Sequence, residues 1–245
     1  CLDAMNAPCT AYSAPATTPD DLLARYGRPV PRYTSYPTAP HFGPQVDGAV
    51  YAQWLADLPM GARASLYLHV PFCAELCLYC GCTTTVARRP APVAAYAARL
   101  REEITRVADR IPGRLAVSHL HWGGGTPTLL SGDDFQAVMA LIRARFDVQS
   151  DAELAIEVDP RVLGPDMIAA LTASGITRAS LGVQDFEEAV QAAIGRHQSF
   201  EETKTAADAL RAAGVSSLNL DLIYGLPHQS VASVLRTVRS ALALE

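Results

Sequence analysis

Apolar residues along the chain fall into short dense runs, separated by longer segments with helical spacing. The runs are Ser65–Val70, Val117–Trp122, Leu154–Val158, Arg178–Val183 and Ser217–Ile223. Each is rich in Val, Ile or Leu and stops at Pro, Gly or a polar residue, which is the pattern of a buried strand. Between them the spacing predicts helices over Pro92–Val107, Gly132–Ala144, Pro165–Ala173, Glu187–Ala193 and Phe200–Ala212, with a last one from Ser230. Helix ends are marked as well. Ser131 precedes Gly132, Asp133 and Asp134, which puts acidic side chains where the helix dipole favours them. Pro165 suits a first helical turn, and Gly175 and Gly214 stand where a left-handed residue ends a helix.

Strand and helix alternate at roughly 25–50 residues, the spacing of βαβ units, which implies a parallel sheet and an α/β fold. Periodicity does not separate an open sheet from a curved (β/α) barrel. In either, functional groups gather beyond the C-terminal ends of strands. Residues 1–19 are rich in Ala, Thr and Pro and read as a flexible tail. Residues 20–48 read as an irregular Pro/Tyr/Thr-rich lead-in over the active site, with a short helix near Asp20–Tyr26, and residues 49–245 as the strand–helix domain. The chain opens on Cys1 and closes in an uncapped helical pattern from Ser240 to Glu245, so a piece of a longer protein is expected.

Composition narrows the function. A chain of 245 residues with 49% hydrophobic content can build one large core. A formal net charge of −5 argues against a nucleic-acid partner, because phosphate contacts need clustered Lys and Arg. No apolar run reaches membrane-spanning length, so no membrane partner and a cytoplasmic location are expected. Of six cysteines, four lie between Cys73 and Cys82, too tightly for a disulfide framework. Cys1 and Cys9 read as thiols without a role in the tail.

The first apolar run leads into Pro71-Phe72-Cys73-Ala74-Glu75-Leu76-Cys77-Leu78-Tyr79-Cys80-Gly81-Cys82. Thiolates at Cys73, Cys77 and Cys80, on a loop leaving a strand, can ligate three irons of a [4Fe-4S] cubane. The fourth iron is then open to an exogenous chelator, a role that S-adenosylmethionine (SAM) fills through its amino and carboxylate groups. Structural zinc wants a second pair of ligands that does not follow, and dithiol redox chemistry gives no reason for Cys73. Cys82 is an additional thiol, expected not to bind iron in the resting site.

Several segments then resemble the oxygen-independent coproporphyrinogen III oxidase family. They are Tyr67-Leu68-His69-Val70-Pro71-Phe72-Cys73, the Cys-Gly-Cys ending at Cys82, His121-Trp122-Gly123-Gly124-Gly125-Thr126-Pro127 and Ala155-Ile156-Glu157-Val158-Asp159-Pro160-Arg161. Leu181-Gly182-Val183-Gln184-Asp185-Phe186, Asn219-Leu220-Asp221-Leu222-Ile223-Tyr224-Gly225-Leu226-Pro227 and the lead-in Pro31-Arg32-Tyr33-Thr34-Ser35-Tyr36-Pro37-Thr38-Ala39 belong with them. The resemblance implies an incomplete six-unit radical SAM barrel whose last strand and C-terminal domain are missing here. It implies oxidative decarboxylation of two propionates of coproporphyrinogen III to vinyls, giving protoporphyrinogen IX in anaerobic heme biosynthesis. Two SAM molecules, an unidentified electron donor and acceptor, and a monomeric full-length protein go with it. A heme chaperone of the same family, or another tetrapyrrole-acting radical SAM enzyme, is the alternative; Cys82 and the lead-in favour the oxidase.

By resemblance, Gly124 and Glu157 contact the cluster-bound SAM, while Gly125, Thr126, Gln184, Arg196 and Asp221 contact the second. The residues alone say less. A glycine triplet after a strand permits close approach of main chain to a ligand, and polar groups on successive strand ends converge on one ring of loops. Tyr79 sits between two ligands, where a ring packs on adenine; Tyr67 is either a cofactor contact or core. Arg32, among Tyr33 and Tyr36, is the expected contact for substrate carboxylates. His69, His119 and His121 are expected to pack or hydrogen-bond rather than bind metal.

Overall fold

The computed structural model describes residues 18–27 and 37–244, so Cys1, Cys9 and Arg32 lie outside the described residues. The chain divides into two compact units, Cys1–Asp47 and Gly48–Glu245. In the first, helix α1 (Pro19–Tyr26) opens on a reciprocal cap. The Thr18 hydroxyl donates to Asp21 Oδ2 (2.8 Å) and the Asp21 N–H donates back to Thr18 Oγ1 (3.2 Å). A short 3-10 turn, Ala39–His41, follows in the same unit.

The second unit begins with α2 (Gly48–Ala56) and β1 (Arg63–Val70), then the two-residue strands β2 (Phe72–Cys73) and β3 (Thr85–Val86). Helix α3 (Pro90–Ala108) leads to β4 (Ala116–Gly124), α4 (Gly132–Arg145) to β5 (Asp147–Val158), and α5 (Pro165–Ala173) to β6 (Arg178–Gln184). Two helices, α6 (Glu188–Ile194) and α7 (Phe200–Ala212), precede β7 (Ser217–Leu222), and α8 (Val231–Leu242) closes the unit. The caps match the sequence reading. Ser131 accepts from the Asp134 N–H, and Gly175 and Gly214 take φ of 66° and 88°.

The main sheet has the order β1-β4-β5-β6-β7, with every neighbouring pair parallel. Spatial order follows chain order, so the sheet always grows from the same edge. A doubly wound sheet reverses direction at a switch point; this one does not. Crossovers of one hand then send the connecting helices to one face, and α4 indeed packs against both α3 and α5. This is the winding of a (β/α) barrel, in five strands among the described residues, and it resolves what periodicity left open.

The two faces of the sheet differ in chemistry. On the helix side, Leu68, Val70, Leu120, Trp122, Leu154, Ile156 and Leu181 are buried in one continuous core. Trp122 rests on Phe135 of α4, ring centroids 4.8 Å apart, and its indole N–H donates to Met139 Sδ (3.4 Å). The opposite face carries Tyr67, His69, His119, His121, Glu157, Ser180, Asn219 and Asp221, all exposed or half-buried. A register irregularity between Val117 and His119 shifts the alternation of β4 by one residue, which aligns His121 with Tyr67 on this polar face.

Three features depart from the sequence reading. Strand β5 starts at Asp147, well before Leu154, because ladder pairing of Asp147 with Ala116 and Val148 with Val117 extends it through a polar stretch. Helix α2 buries none of its residues, so no apolar stripe announces it. The strands β2 and β3 are too short to carry a period. Among the described residues no helix is long and apolar enough to cross a membrane.

Adjacent residues of β4 should therefore respond very differently to truncation. Leu120→Ala, at 1% exposure on the core face, is expected to cost about 2–5 kcal/mol in urea denaturation. His119→Ala, exposed on the other face, should change stability by less than about 0.5 kcal/mol.

Candidate active site

The cysteine loop is an excursion whose two ends are tied together. It leaves through β2 and returns through β3, which pair in parallel with Phe72 opposite Thr85 and Cys73 opposite Val86. The Thr85 N–H donates to Pro71 O and the Ala87 N–H to Cys73 O, both at 2.9 Å. From beneath, the end of β4 pins the same segment: the Gly125 N–H donates to Val70 O (2.8 Å) and the Thr126 N–H to Phe72 O (2.6 Å).

This contact explains the glycines. A Cβ on Gly125 would lie 2.4 Å from Phe72 O. One on Gly124, whose φ is 116°, would lie 2.8 Å from the His69 ring and 2.9 Å from Val70 O. The triplet was expected to admit a ligand; its first demand comes from the chain's own loop.

Cys73, Cys77 and Cys80 surround one cavity of about 250 Å³. It is also lined by Tyr79, Gly124, Gly125, Thr126, Glu157, Gln184, Arg196 and Asp221, so the strand ends do bring these expected site residues together. Tyr67 stands apart from this cavity. At 58% exposure it is not core, and its ring stacks on His121 while its hydroxyl meets His69 Nδ1 at 3.2 Å. All three histidines are engaged in hydrogen bonds, His69 Nε2 with Thr83 O (2.9 Å) and His119 Nδ1 with Ser118 Oγ (3.0 Å). His121 Nε2 lies 3.2 Å from Glu157 Oε1.

Each of these three thiols faces a donor. Thr84 Oγ1–H and Thr126 Oγ1–H point at Cys73 Sγ (3.2 and 3.6 Å), Arg196 Nη1–H at Cys77 Sγ (3.6 Å) and the Cys82 N–H at Cys80 Sγ (3.4 Å). Anionic sulfur bound to iron asks for such donors, which tune the cluster as well as hold it. Among the described residues no three His, Cys, Asp or Glu side chains converge tightly enough to share one ion. A cubane asks for something else: one sulfur for each of three separate irons, spread around a shared space. The donor set fits a [4Fe-4S] cluster.

Cys82 lines the same cavity. Burial, followed by its hydrogen bond to Cys80, pushes its thiol up to about 11, so it is protonated near neutrality. Burial likewise raises the Tyr79 phenol far above its usual range, with Arg196 pulling the other way. The phenol is a donor at any physiological pH.

Across the cavity, Glu157 is held by both oxygens, Oε1 near His121 and Oε2 accepting the Gly124 N–H (3.1 Å). Asp221 accepts from Ser180 Oγ–H (2.9 Å) and Asn219 Nδ2–H (2.8 Å). Gln184 ends β6 with a φ of 70°, an unfavourable value for any residue but glycine, in a nearly buried position. Arg196, in the loop after α6, is buried, and its Nη2 donates to Gly182 O (2.7 Å) and Gln198 Oε1 (2.9 Å). Its Nε is buried without a hydrogen-bond partner among the described residues.

Sequence reasoning missed Ser180, Asn219, Asp159, Arg161 and Gln198. Ser180 and Asn219 were detectable as polar residues at alternate positions in otherwise apolar runs. Asp159 and Arg161 stand directly after a strand, the position where functional groups gather in such folds. Gln198 offers no signal, because its place depends on where α6 ends.

Comparison with known proteins agrees with this geometry. The chain is 56% identical over 225 residues to an oxygen-independent coproporphyrinogen III oxidase of Bradyrhizobium diazoefficiens, covering 91% of this chain and 50% of that protein. It is 45% identical over 224 residues to the protein of that name from Paracoccus denitrificans, again covering 91% and 50%. The structure of coproporphyrinogen III oxidase from Escherichia coli, described as a radical SAM enzyme, superimposes with a TM-score of 0.81 at 39% identity. That match covers 91% of this chain and 50% of the other. The chain thus spans about half the length of these relatives. Residues 67–241, which hold the whole sheet from Tyr67 onward and every thiol of the loop, match the radical SAM superfamily, and to that superfamily the chain belongs.

Proposed function

We propose that this chain carries the radical-generating site of an oxygen-independent coproporphyrinogen III oxidase, acting on two propionates of coproporphyrinogen III to leave vinyls. The observation that carries the reading is the ring of donor-flanked thiols at Cys73, Cys77 and Cys80, facing Glu157 and Asp221 across one cavity. The high identity to relatives bearing that name supports the choice of substrate.

When bound, the cluster and SAM supply an adenosyl radical able to take hydrogen from the carbon beside the tetrapyrrole ring. The chain's own residues do the rest. Cys73, Cys77 and Cys80 hold three irons. Glu157 offers a fixed anionic acceptor for an ammonium, oriented by His121 and the Gly124 N–H. Gly125, Thr126, Gln184, Arg196 and Asp221 form the wall assigned to a second SAM, with Tyr79 on the thiol side; Tyr67, stacked on His121 outside this cavity, is assigned a cofactor contact by the resemblance alone. Arg32 is assigned to substrate carboxylates. A cytoplasmic, monomeric full-length protein that draws on separate electron donor and acceptor partners completes the reading.

Anaerobic incubation of the full-length protein with reductant, SAM and coproporphyrinogen III is expected to yield vinyl product and 5′-deoxyadenosine together. Heme binding without vinyl product would return the chain to the chaperone reading. Glu157→Gln should weaken SAM binding by about tenfold or more, the loss of a hydrogen bond to a charged group, while iron and sulfide content stay at the wild-type level. Equal SAM affinity in the variant, measured by titration of the cluster spectrum, would remove Glu157 from the site.

A further inference from the structure

Asp159, the first residue after β5, lines the cavity with its side chain only 12% exposed. Two guanidinium groups share its carboxylate. Arg161 grips it with Nε on Oδ1 (2.9 Å) and Nη2 on Oδ2 (2.6 Å). Arg196 reaches the same two oxygens, Nη2 to Oδ1 at 3.2 Å and Nη1 to Oδ2 at 3.4 Å.

Each arginine also extends to one short stretch of the cysteine loop. Arg161 Nη1 lies 3.5 Å from Glu75 Oε2, and Arg196 Nη1 donates toward Cys77 Sγ at 3.6 Å. Beside them the Leu78 N–H donates to Ile194 O (2.9 Å), and a Cβ on Gly195 would meet Leu78 Cγ at 3.4 Å. The Cys73 end of the loop is tied by a backbone ladder; the Cys77 end has a single backbone tie to Ile194 and, beside it, these two side chains.

We propose that Asp159 is a positioning residue that fixes residues 75–78 in their ligating shape through Arg161 and Arg196, whether or not iron is present. Without its charge, two neighbouring cations share no anion and repel, and the donor at Cys77 loses its support. Burial alone would push the Asp159 carboxyl up. The hydrogen bonds of Arg161, then the charges of Arg196 and Arg161, outweigh that and hold it below the usual range. Glu75 is largely exposed, so solvent screens its arm and the Arg196–Cys77 arm carries more of the effect. The inference rests on the cluster reading only for its use; the holding itself belongs to the polypeptide.

Hydrogen–deuterium exchange on the full-length chain, anaerobic and free of iron, tests it. In Asp159→Asn, exchange at the Leu78 amide, whose N–H donates to Ile194 O, should rise about tenfold while amides of the central strands, such as Leu120 and Ile156, stay as protected as in the wild type. On reconstitution the variant should bind less iron. Unchanged exchange at Leu78 overturns the proposal, and so does a rise spread evenly over the sheet, which marks general destabilisation. Should Asp159→Asn not fold, Arg161→Gln keeps the Asp159–Arg196 pair; exchange at the Leu78 amide should then rise about threefold, and no rise there overturns the proposal equally. A wild-type chain that takes up no cluster yet shows the Asp159-dependent difference supports the positioning role and defeats the cofactor reading instead.

Discussion

Close approach of two stretches of main chain is the constraint on which the site depends. The end of β4 lies so near the end of β1 that the Gly125 and Thr126 N–H groups reach Val70 O and Phe72 O directly. No side chain fits between them. That contact decides where the cysteine loop starts, and therefore where Cys73 stands relative to Glu157 on the neighbouring strand. A glycine-rich turn is usually explained by what it binds. Here it is first a joint, and the cavity exists because the joint is tight.

The sheet supplies the second half of the design. One face is apolar and packed by helices; the other is a field of histidine, tyrosine, carboxylate, hydroxyl and amide groups. A barrel whose interior were filled with Val and Leu would have no room for this chemistry. The polar groups brace one another. His121 stacks on Tyr67 and meets Glu157, while Asn219 bridges Ser180 and Asp221. Each carboxylate facing the thiols thus has a defined orientation before any ligand arrives, the preorganisation that electrostatic catalysis relies on.

Much of this was legible in the residues themselves. Strands β1, β4, β6 and β7 announce themselves as apolar runs, and the three thiols at fixed spacing define the centre of the site. What was hidden has physical causes. The early part of β5 is polar and becomes strand only because β4 lies alongside, so its signal is in the partner and not in the segment. Helix α2 has no fully buried residue and only Leu55 packs partly against the core, so it shows no stripe. Arg196 looks like a surface residue in a Gly-Arg-His loop until the fold places Asp159 beside it; burial of a paired charge is a tertiary fact with no local trace. Gln184 reads as an ordinary strand residue, and only the backbone reveals that it bends away from what its side chain prefers.

The single direction of winding has a bearing on how the protein is made. Every pairing in the sheet joins a strand to the next large strand in the chain, so contacts stay comparatively local and each unit can dock as it leaves the ribosome. The thiols belong to the first of these units. The groups that face them, from Glu157 to Arg196 and Asp221, belong to the last three strands and their loops. During synthesis the thiols therefore emerge before the groups that form the far wall of their cavity, and the site is complete only when the last large strand has paired.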